Sequence, residues 1–189
     1  IGKNPTIDDL LADHYAAVLI AVGAGKGSIL PIRGSNAEKV YDALQFMKKV
    51  NADIPVKVGK KAVVIGGGSI AFDTARSLKR LGVADVTCVC LEEGAAVPAP
   101  KWEIEEAKEE GVKLIEGAAP TRIVTELFTV EGVEFRKVEC IDTDEFGRLQ
   151  PQCFMGSEFV VDADTVLFAT GQKADTRFFV EKSGLALDG

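Results

Sequence analysis

Two apolar runs that each end in a glycine-rich turn indicate buried strands. The first run covers residues 16–22 and ends at residues 23–25, and the second covers 61–65 and ends at 66–68. Both contain β-branched residues and no alternating polar positions after their first residue, as is typical of parallel strands covered on both faces. The pattern therefore predicts two buried strands whose carboxyl ends open into glycine turns.

The segment after the second glycine turn alternates between helical and extended periods. Apolar positions from 69 to 81 recur at helical spacing, and Gly82 ends this helix. A strand–helix–strand–helix–strand unit is right-handed and forms the half of a Rossmann fold that holds one nucleotide. The predicted elements are strand 61–65, helix 69–81, strand 85–91, helix 102–110 and strand 112–115.

The rest of the chain shows shorter elements. Alternating polar and apolar positions predict an antiparallel β-meander with one face in water, followed by a buried strand over 164–169. The meander strands are predicted at 121–130, 133–143 and 158–161. The predicted helical segments are 7–12, with Thr6 as its cap, 37–50, and a turn at 176–182.

Together these elements predict an α/β fold. We expect a Rossmann-like parallel sheet with helices on both faces and an antiparallel β-meander. The linker 51–59, which contains Pro55, marks a domain boundary. The nucleotide-binding domain is therefore predicted to cover residues 59–162.

Charge and composition narrow the classes of function. The 22 basic and 29 acidic residues give a net charge of −7, which argues against a nucleic-acid partner. No apolar run reaches the roughly 18 residues of a membrane helix, so we expect a soluble chain with no membrane span. The chain has neither an initiator Met nor a signal-peptide pattern, and we expect a fragment of a longer protein.

The four cysteines show no CxxC spacing. This argues against a zinc site or a redox dithiol, so we expect no bound metal. Small apolar cysteines fit a reduced, cytoplasmic protein. The cysteines are Cys88, Cys90, Cys140 and Cys153.

The loop between the second strand and its helix carries a GxGxxA motif. Gly66 permits the turn out of the strand, Gly68 lets a pyrophosphate approach the backbone, and Ala71 lets the helix pack closely. The helix N-terminus offers unpaired N–H groups, and Ser69 can add a donor or a cap. The motif predicts a dinucleotide site; a tight turn in a non-binding α/β domain is the alternative. The motif residues are Gly66, Gly67, Gly68, Ser69, Ile70 and Ala71.

Acidic residues after the next strand favour NAD(H) over NADP(H). Glu92 lies slightly beyond the roughly 20 residues that usually separate the glycines from the ribose-binding acid. No Lys or Arg occurs between Leu81 and Lys101 to accommodate a 2′-phosphate. Glu92 is therefore the candidate for the ribose contact, with a solvated loop as the alternative.

The motif and several further segments resemble the glutamate synthase small-subunit family, which includes the flavin-containing half of dihydropyrimidine dehydrogenase. The glycine loop and its helix resemble the GGGNxAMDxAR segment of that family. The segments that carry the resemblance, in order, are 21–24, 40–44, 66–76, 98–99, 103–107, 110–112, 163–166 and 169–172. The resemblance thus extends over nearly the whole chain.

The resemblance implies an FAD domain interrupted by an NAD(P)H domain. Residues 1–58 would be a strip of the FAD domain with a connecting helix, and 163–189 a return strand toward it. Hydride would pass from NAD(P)H to FAD and then to an acceptor domain or subunit, so we expect no acid–base catalytic residue here. Gly23, Thr170, Gly171 and Gln172 would lie near the flavin or nicotinamide.

Two positions depart from the family pattern. Ser69 stands where the family usually has Asn, and Leu91 and Glu92 stand where members of the NADPH type have two arginines. The second departure also favours NADH. The alternative reading of the chain is a Rossmann-fold binding or interaction module without redox activity.

Overall fold

The computed structural model describes residues 6–13 and 15–175, and its contacts divide the chain into two compact units. The first unit comprises residues 1–26 and 172–189, and the second comprises residues 27–171. The domain boundaries predicted from the sequence, at 59 and 162, refer to the intact protein and stay predictions. The helical turn predicted at 176–182 lies outside the described residues.

The first unit contains one helix, α1 (Ile7–Ala12), in its described part. Thr6 caps it as predicted: the Asp9 N–H donates to Thr6 Oγ1 at 3.1 Å, and the Thr6 N–H donates to Asp9 Oδ2 at 2.8 Å. The predicted strand at 16–22 is wrong, because this segment forms no strand and Leu19 is 90% exposed. An apolar run becomes a strand only where a neighbouring strand pairs with its backbone.

The remaining elements follow in chain order. They are β1 (Lys26–Gly27), β2 (Val40–Asp42), α2 (Ala43–Asn51), β3 (Lys61–Ile65), α3 (Ser69–Arg80), β4 (Asp85–Val89), a 3-10 turn (Gly94–Ala96), α4 (Lys101–Glu109), β5 (Val112–Ile115), β6 (Ala118–Glu126), β7 (Thr129–Thr143), β8 (Leu149–Cys153), β9 (Phe159–Asp162), β10 (Thr165–Phe168) and β11 (Gln172–Lys173). No helix within the described residues is long and apolar enough to cross a bilayer.

A parallel five-stranded sheet forms the centre of the second unit. Its strand order is β2-β10-β3-β4-β5, and every neighbouring pair is parallel. The predicted βαβαβ unit from β3 to β5 is confirmed, with boundaries that differ by two residues at most. The predicted helix at 37–50 is shorter than expected: residues 40–42 pair with β10, and the Asp42 carboxylate then caps α2 by accepting the Leu44 N–H at 2.8 Å.

Two apolar cores cover the two faces of this sheet. On one face, Phe46, Phe72 and Ala107 bring α2, α3 and α4 against the strands. On the other, Ile123 and Phe135 from the meander pack against β3, β4 and β10. The predicted α/β class is confirmed, but helices on both faces are a wrong detail: in residues 27–171 the second face is covered by antiparallel strands.

The predicted antiparallel meander is confirmed. Strand β7 pairs with β6, β8 and β9, all antiparallel. β8 lies between the predicted strands 133–143 and 158–161, where the sequence pattern predicts no strand. The Asp144 carboxylate closes the β7–β8 hairpin by accepting the N–H groups of Phe146 and Arg148. The meander carries the chain from β5 to β10, which lies on the far side of β3.

Candidate nucleotide-binding site

Four loops of the second unit meet at the carboxyl edge of the parallel sheet. They follow β3, β4, β5 and β10, whose carboxyl ends share one edge because the strands are parallel. The chain proceeds outward from β3 to β5 and then crosses back to β10, so the strand order reverses between β3 and β10. Ligands of open α/β sheets bind in the crevice at such a switch point. The loops are 66–68, 90–94, 116–117 and 169–171.

The fold itself requires glycine at Gly66. Its φ is +142°, and a Cβ added there would lie 2.5 Å from the Ala169 carbonyl oxygen. The Ala169 N–H donates to the Ile65 carbonyl at 2.8 Å and keeps the two loops together. Gly66 therefore allows the loops after β3 and β10 to approach each other closely.

Packing requires glycine at Gly67. An added Cβ would lie 2.9 Å from Cys90 Cβ, 3.1 Å from Glu92 Oε2 and 3.2 Å from Pro98 Cδ. The Gly67 carbonyl also accepts the Ala99 N–H at 3.0 Å. The glycine loop is thus fixed against the segment that follows β4.

Neither the backbone nor the packing requires glycine at Gly68. Its φ of −87° suits any residue, and an added Cβ would meet nothing within 4 Å. Gly68 is the N-cap of α3, and no side chain caps this helix. The first N–H groups of a helix have no intrahelical acceptors. Open space beside uncapped N–H groups is what a pyrophosphate needs, so the loop fits a dinucleotide.

The other motif residues form the start of α3. Ala71 is fully buried, and its N–H donates to the Gly68 carbonyl at 2.8 Å, in agreement with a role in close helix packing. Ser69 and Ile70 are half-buried in the first turn. The structure therefore brings all six motif residues together at one corner of the sheet.

Glu92 lies beside the glycine loop, with its carboxylate against Gly67. Its backbone carbonyl accepts the Gly117 N–H at 3.2 Å and a hydrogen bond from the Cys90 thiol at 3.4 Å. Burial raises the pKa of the Cys90 thiol to about 12, with the carboxylates of Glu92 and Glu116 adding to the effect. Cys90 is therefore a protonated packing residue under ordinary conditions.

Sequence reasoning missed Glu116, which follows β5. Its Oε2 accepts the Gly94 N–H at 2.8 Å. Strand order is the signal that could have found it, since adjacent parallel strands place the residues that follow them side by side. Three carboxylates, those of Glu92, Glu93 and Glu116, thus stand at the carboxyl ends of β4 and β5.

The loop after β10 lies beside the glycine loop, on the side opposite the loop after β4. Thr170 Oγ1 donates to the Ser28 carbonyl at 3.0 Å, and the Ser28 N–H donates to the Gly171 carbonyl at 3.1 Å. Gly171 has a φ of +116°, and an added Cβ would meet nothing. Gly23 and Gln172 belong to the first unit, and their predicted flavin-side roles stay predictions.

Arg76, which follows the glycine loop on α3, joins two helices. Its guanidinium forms ion pairs with Glu106 and Glu110, each at 2.8 Å, and these raise its pKa. Arg76 therefore holds α3 against α4 and does not contact the nucleotide loops through these pairs. Among the described residues, no group of three or more His, Cys, Asp or Glu side chains is placed to hold a metal ion.

A parallel sheet with a glycine loop at its switch point is the arrangement of dinucleotide-binding α/β proteins. The chain belongs to the pyridine nucleotide-disulphide oxidoreductase family, whose model matches residues 3–189. This membership confirms the class of protein that the sequence resemblance implied.

Relatives confirm the resemblance drawn from the sequence. The chain is 34% identical over 191 residues to the NADPH-Fe(3+) oxidoreductase subunit beta of Geobacter sulfurreducens, covering 98% of this chain and 28% of that protein. It is 32% identical over 200 residues to the glutamate synthase [NADPH] small chain of Escherichia coli, covering 100% and 42%. It is 34% identical over 184 residues to the NAD-dependent dihydropyrimidine dehydrogenase subunit PreT of the same species, covering 96% and 39%.

The solved structures agree on the fold. The chain matches FprA, a Mycobacterium tuberculosis oxidoreductase, with a TM-score of 0.70 and 20% identity over 94% of this chain and 54% of that chain. This identity supports the fold alone. The chain spans between 28% and 42% of the length of the three relatives.

Proposed function

We propose that this chain is the NAD(P)H-binding part of a flavoprotein oxidoreductase, with NADH as its preferred nucleotide. Bound nicotinamide would supply a hydride to FAD, and the reduced flavin would supply electrons to an acceptor on another domain or subunit. The contribution of this chain is to bind and orient the nucleotide. We assign it no acid–base residue.

The open space at Gly68 carries this proposal. Glycine is needed at Gly66 for the backbone and at Gly67 for packing, whereas Gly68 has room for a side chain and still lacks one. A bound pyrophosphate explains that choice, because it needs direct access to the backbone N–H groups of the helix. In this proposal the phosphates lie on Gly68, Ser69 and Ile70.

The preference for NADH rests on charge. The Glu92 carboxylate lies next to the glycine loop, where it can accept hydrogen bonds from the hydroxyl groups of the adenosine ribose. Glu93 adds negative charge nearby, which would repel a 2′-phosphate. The relatives include proteins named for NADPH and one named for NAD, so we base the preference for NADH on the residues of this chain.

The acceptor and the flavin contacts rest on the relatives and the resemblance. The relatives are named as subunits or as a small chain, which supports transfer to a partner domain or subunit. We assign contacts on the flavin and nicotinamide side to Gly23, Thr170, Gly171 and Gln172 on the resemblance.

Anaerobic rapid mixing of the full-length protein with NADH, and separately with NADPH, tests the proposal. The loss of visible flavin absorbance reports hydride transfer. We expect rapid reduction by NADH and slower or weaker reduction by NADPH at equal concentration. Faster reduction by NADPH would overturn the preference, and no reduction by either would favour the module without redox activity.

A further inference from the structure

Backbone hydrogen bonds join the loop after β4 to the loop after β5. The Cys90 N–H donates to the Ile115 carbonyl at 3.0 Å, and the Ala118 N–H donates to the Cys90 carbonyl at 2.9 Å. Further along, the Gly117 N–H donates to the Glu92 carbonyl at 3.2 Å. The second loop therefore determines the path of the chain as far as Glu92.

One side chain extends this connection beyond Glu92. Glu116 Oε2 accepts the Gly94 N–H at 2.8 Å, at the start of the 3-10 turn that no side chain of its own caps. Gly94 has a φ of +55°, and a Cβ added there would meet no atom within 4 Å, so side-chain packing does not hold this residue in place. The Glu116 carboxylate thus fixes the far end of the segment 92–94.

The Glu92 side chain depends on that backbone for its position. Among the described residues, no hydrogen bond or ion pair to the Glu92 carboxylate is present, although it lies against Gly67. The orientation of the Glu92 side chain is therefore determined by the backbone of its own turn. That turn is held by the Gly117 N–H on one side and by Glu116 on the other.

We propose that Glu116 is a positioning residue that holds the turn 92–94 through the Gly94 N–H and so orients Glu92 toward the adenosine ribose of NADH. This inference rests on the proposed function, and it assigns a second residue to the choice between NADH and NADPH. Glu116 itself does not touch the nucleotide. Its role requires a hydrogen-bond acceptor, and its negative charge is secondary.

Substitutions of Glu116 separate the acceptor from the charge. Glu116→Gln removes the charge and keeps a carbonyl oxygen for Gly94, whereas Glu116→Ala removes both. For an exposed, charge-assisted hydrogen bond, we expect Glu116→Ala to weaken NADH binding by about fivefold and to leave NADPH binding nearly unchanged. We expect Glu116→Gln to stay within about twofold of the wild type.

The experiment is a calorimetric titration of the full-length protein with NADH and NADPH. Glu105→Ala, which removes one exposed carboxylate from α4, is the matched control and should match the wild type. In a Glu92→Ala background, which removes the side chain that contacts the ribose, Glu116→Ala should have no further effect, because its action runs through Glu92. Thermal unfolding of each variant shows whether the fold is retained.

The outcomes separate this inference from the proposed function. Loss of NADH preference in Glu116→Ala with retention in Glu116→Gln supports positioning. Equal losses in both variants would show a charge effect and overturn it, as would unchanged affinity in Glu116→Ala. If the wild type binds neither nucleotide, the proposed function fails and this inference fails with it.

Discussion

Gly66→Ala should lower the stability of the fold, whereas Gly68→Ala should weaken nucleotide binding and leave stability nearly unchanged. At Gly66, a positive φ costs an L-residue about 1–3 kcal/mol, and the added Cβ would also press on the Ala169 carbonyl 2.5 Å away. We expect a loss of about 3 kcal/mol. At roughly 2–4 °C per kcal/mol for a domain of this size, the unfolding midpoint should fall by about 6–12 °C.

Gly68→Ala should leave the fold intact. As an N-cap, alanine is less stabilising than glycine by a few tenths of a kcal/mol or more. It also lowers the conformational entropy of the unfolded chain, which stabilises the fold by about 0.4–1 kcal/mol. These terms nearly cancel, so the midpoint should move by less than about 2 °C. The methyl group would, however, occupy the space for the pyrophosphate, and NADH affinity should fall at least about tenfold, or ~1.4 kcal/mol.

Thermal unfolding by circular dichroism and NADH binding by fluorescence titration, both on the full-length protein, measure the two effects. Gly68→Ala should lose binding at wild-type stability, and Gly66→Ala should lose stability. Wild-type affinity in Gly68→Ala would refute the assignment of that space to the pyrophosphate. Wild-type stability in Gly66→Ala would refute the close approach of the loops after β3 and β10.

Three further predictions follow from single side chains. Glu92→Arg should raise the affinity for NADPH relative to NADH in a binding titration; an unchanged ratio would show that another residue contacts the ribose. The Arg122 guanidinium lowers the pKa of Glu134 from its ordinary 4.5 to about 2, so this pair stabilises the fold above pH 4.5 and is lost as pH falls through about 2. Glu134→Gln should therefore flatten the pH dependence of the unfolding midpoint in that range. Arg76→Met should cost about 1 kcal/mol of stability, because its ion pairs are only partly buried, and leave NADH affinity unchanged.

The sequence predicted those elements whose signals are local. The run at 61–65, the helix beginning at Ser69 and the GxGxxA loop between them each show their own periodicity or turn chemistry, and the structure has them in place. Helix caps such as Thr6 were predictable for the same reason.

Predictions from the sequence were wrong or incomplete where the structure depends on contacts between residues that are far apart in the chain. The apolar run at 16–22 resembles 61–65 but pairs with no strand, and Val40 is extended because it pairs with Val166 in β10. Glu116 was missed because its contact with Gly94 exists only once β4 and β5 are adjacent. Which layer covers the second face of the sheet is likewise a property of the whole fold.

The measurement that tests the central claim most directly is a calorimetric titration of the full-length protein with NADH and with NADPH at moderate salt. We predict binding of both, with NADH the tighter, because Glu92 lies beside an open glycine loop and no basic residue between Leu81 and Lys101 could receive a 2′-phosphate. Tighter binding of NADPH would contradict the assigned preference. Binding of neither would contradict the nucleotide site itself.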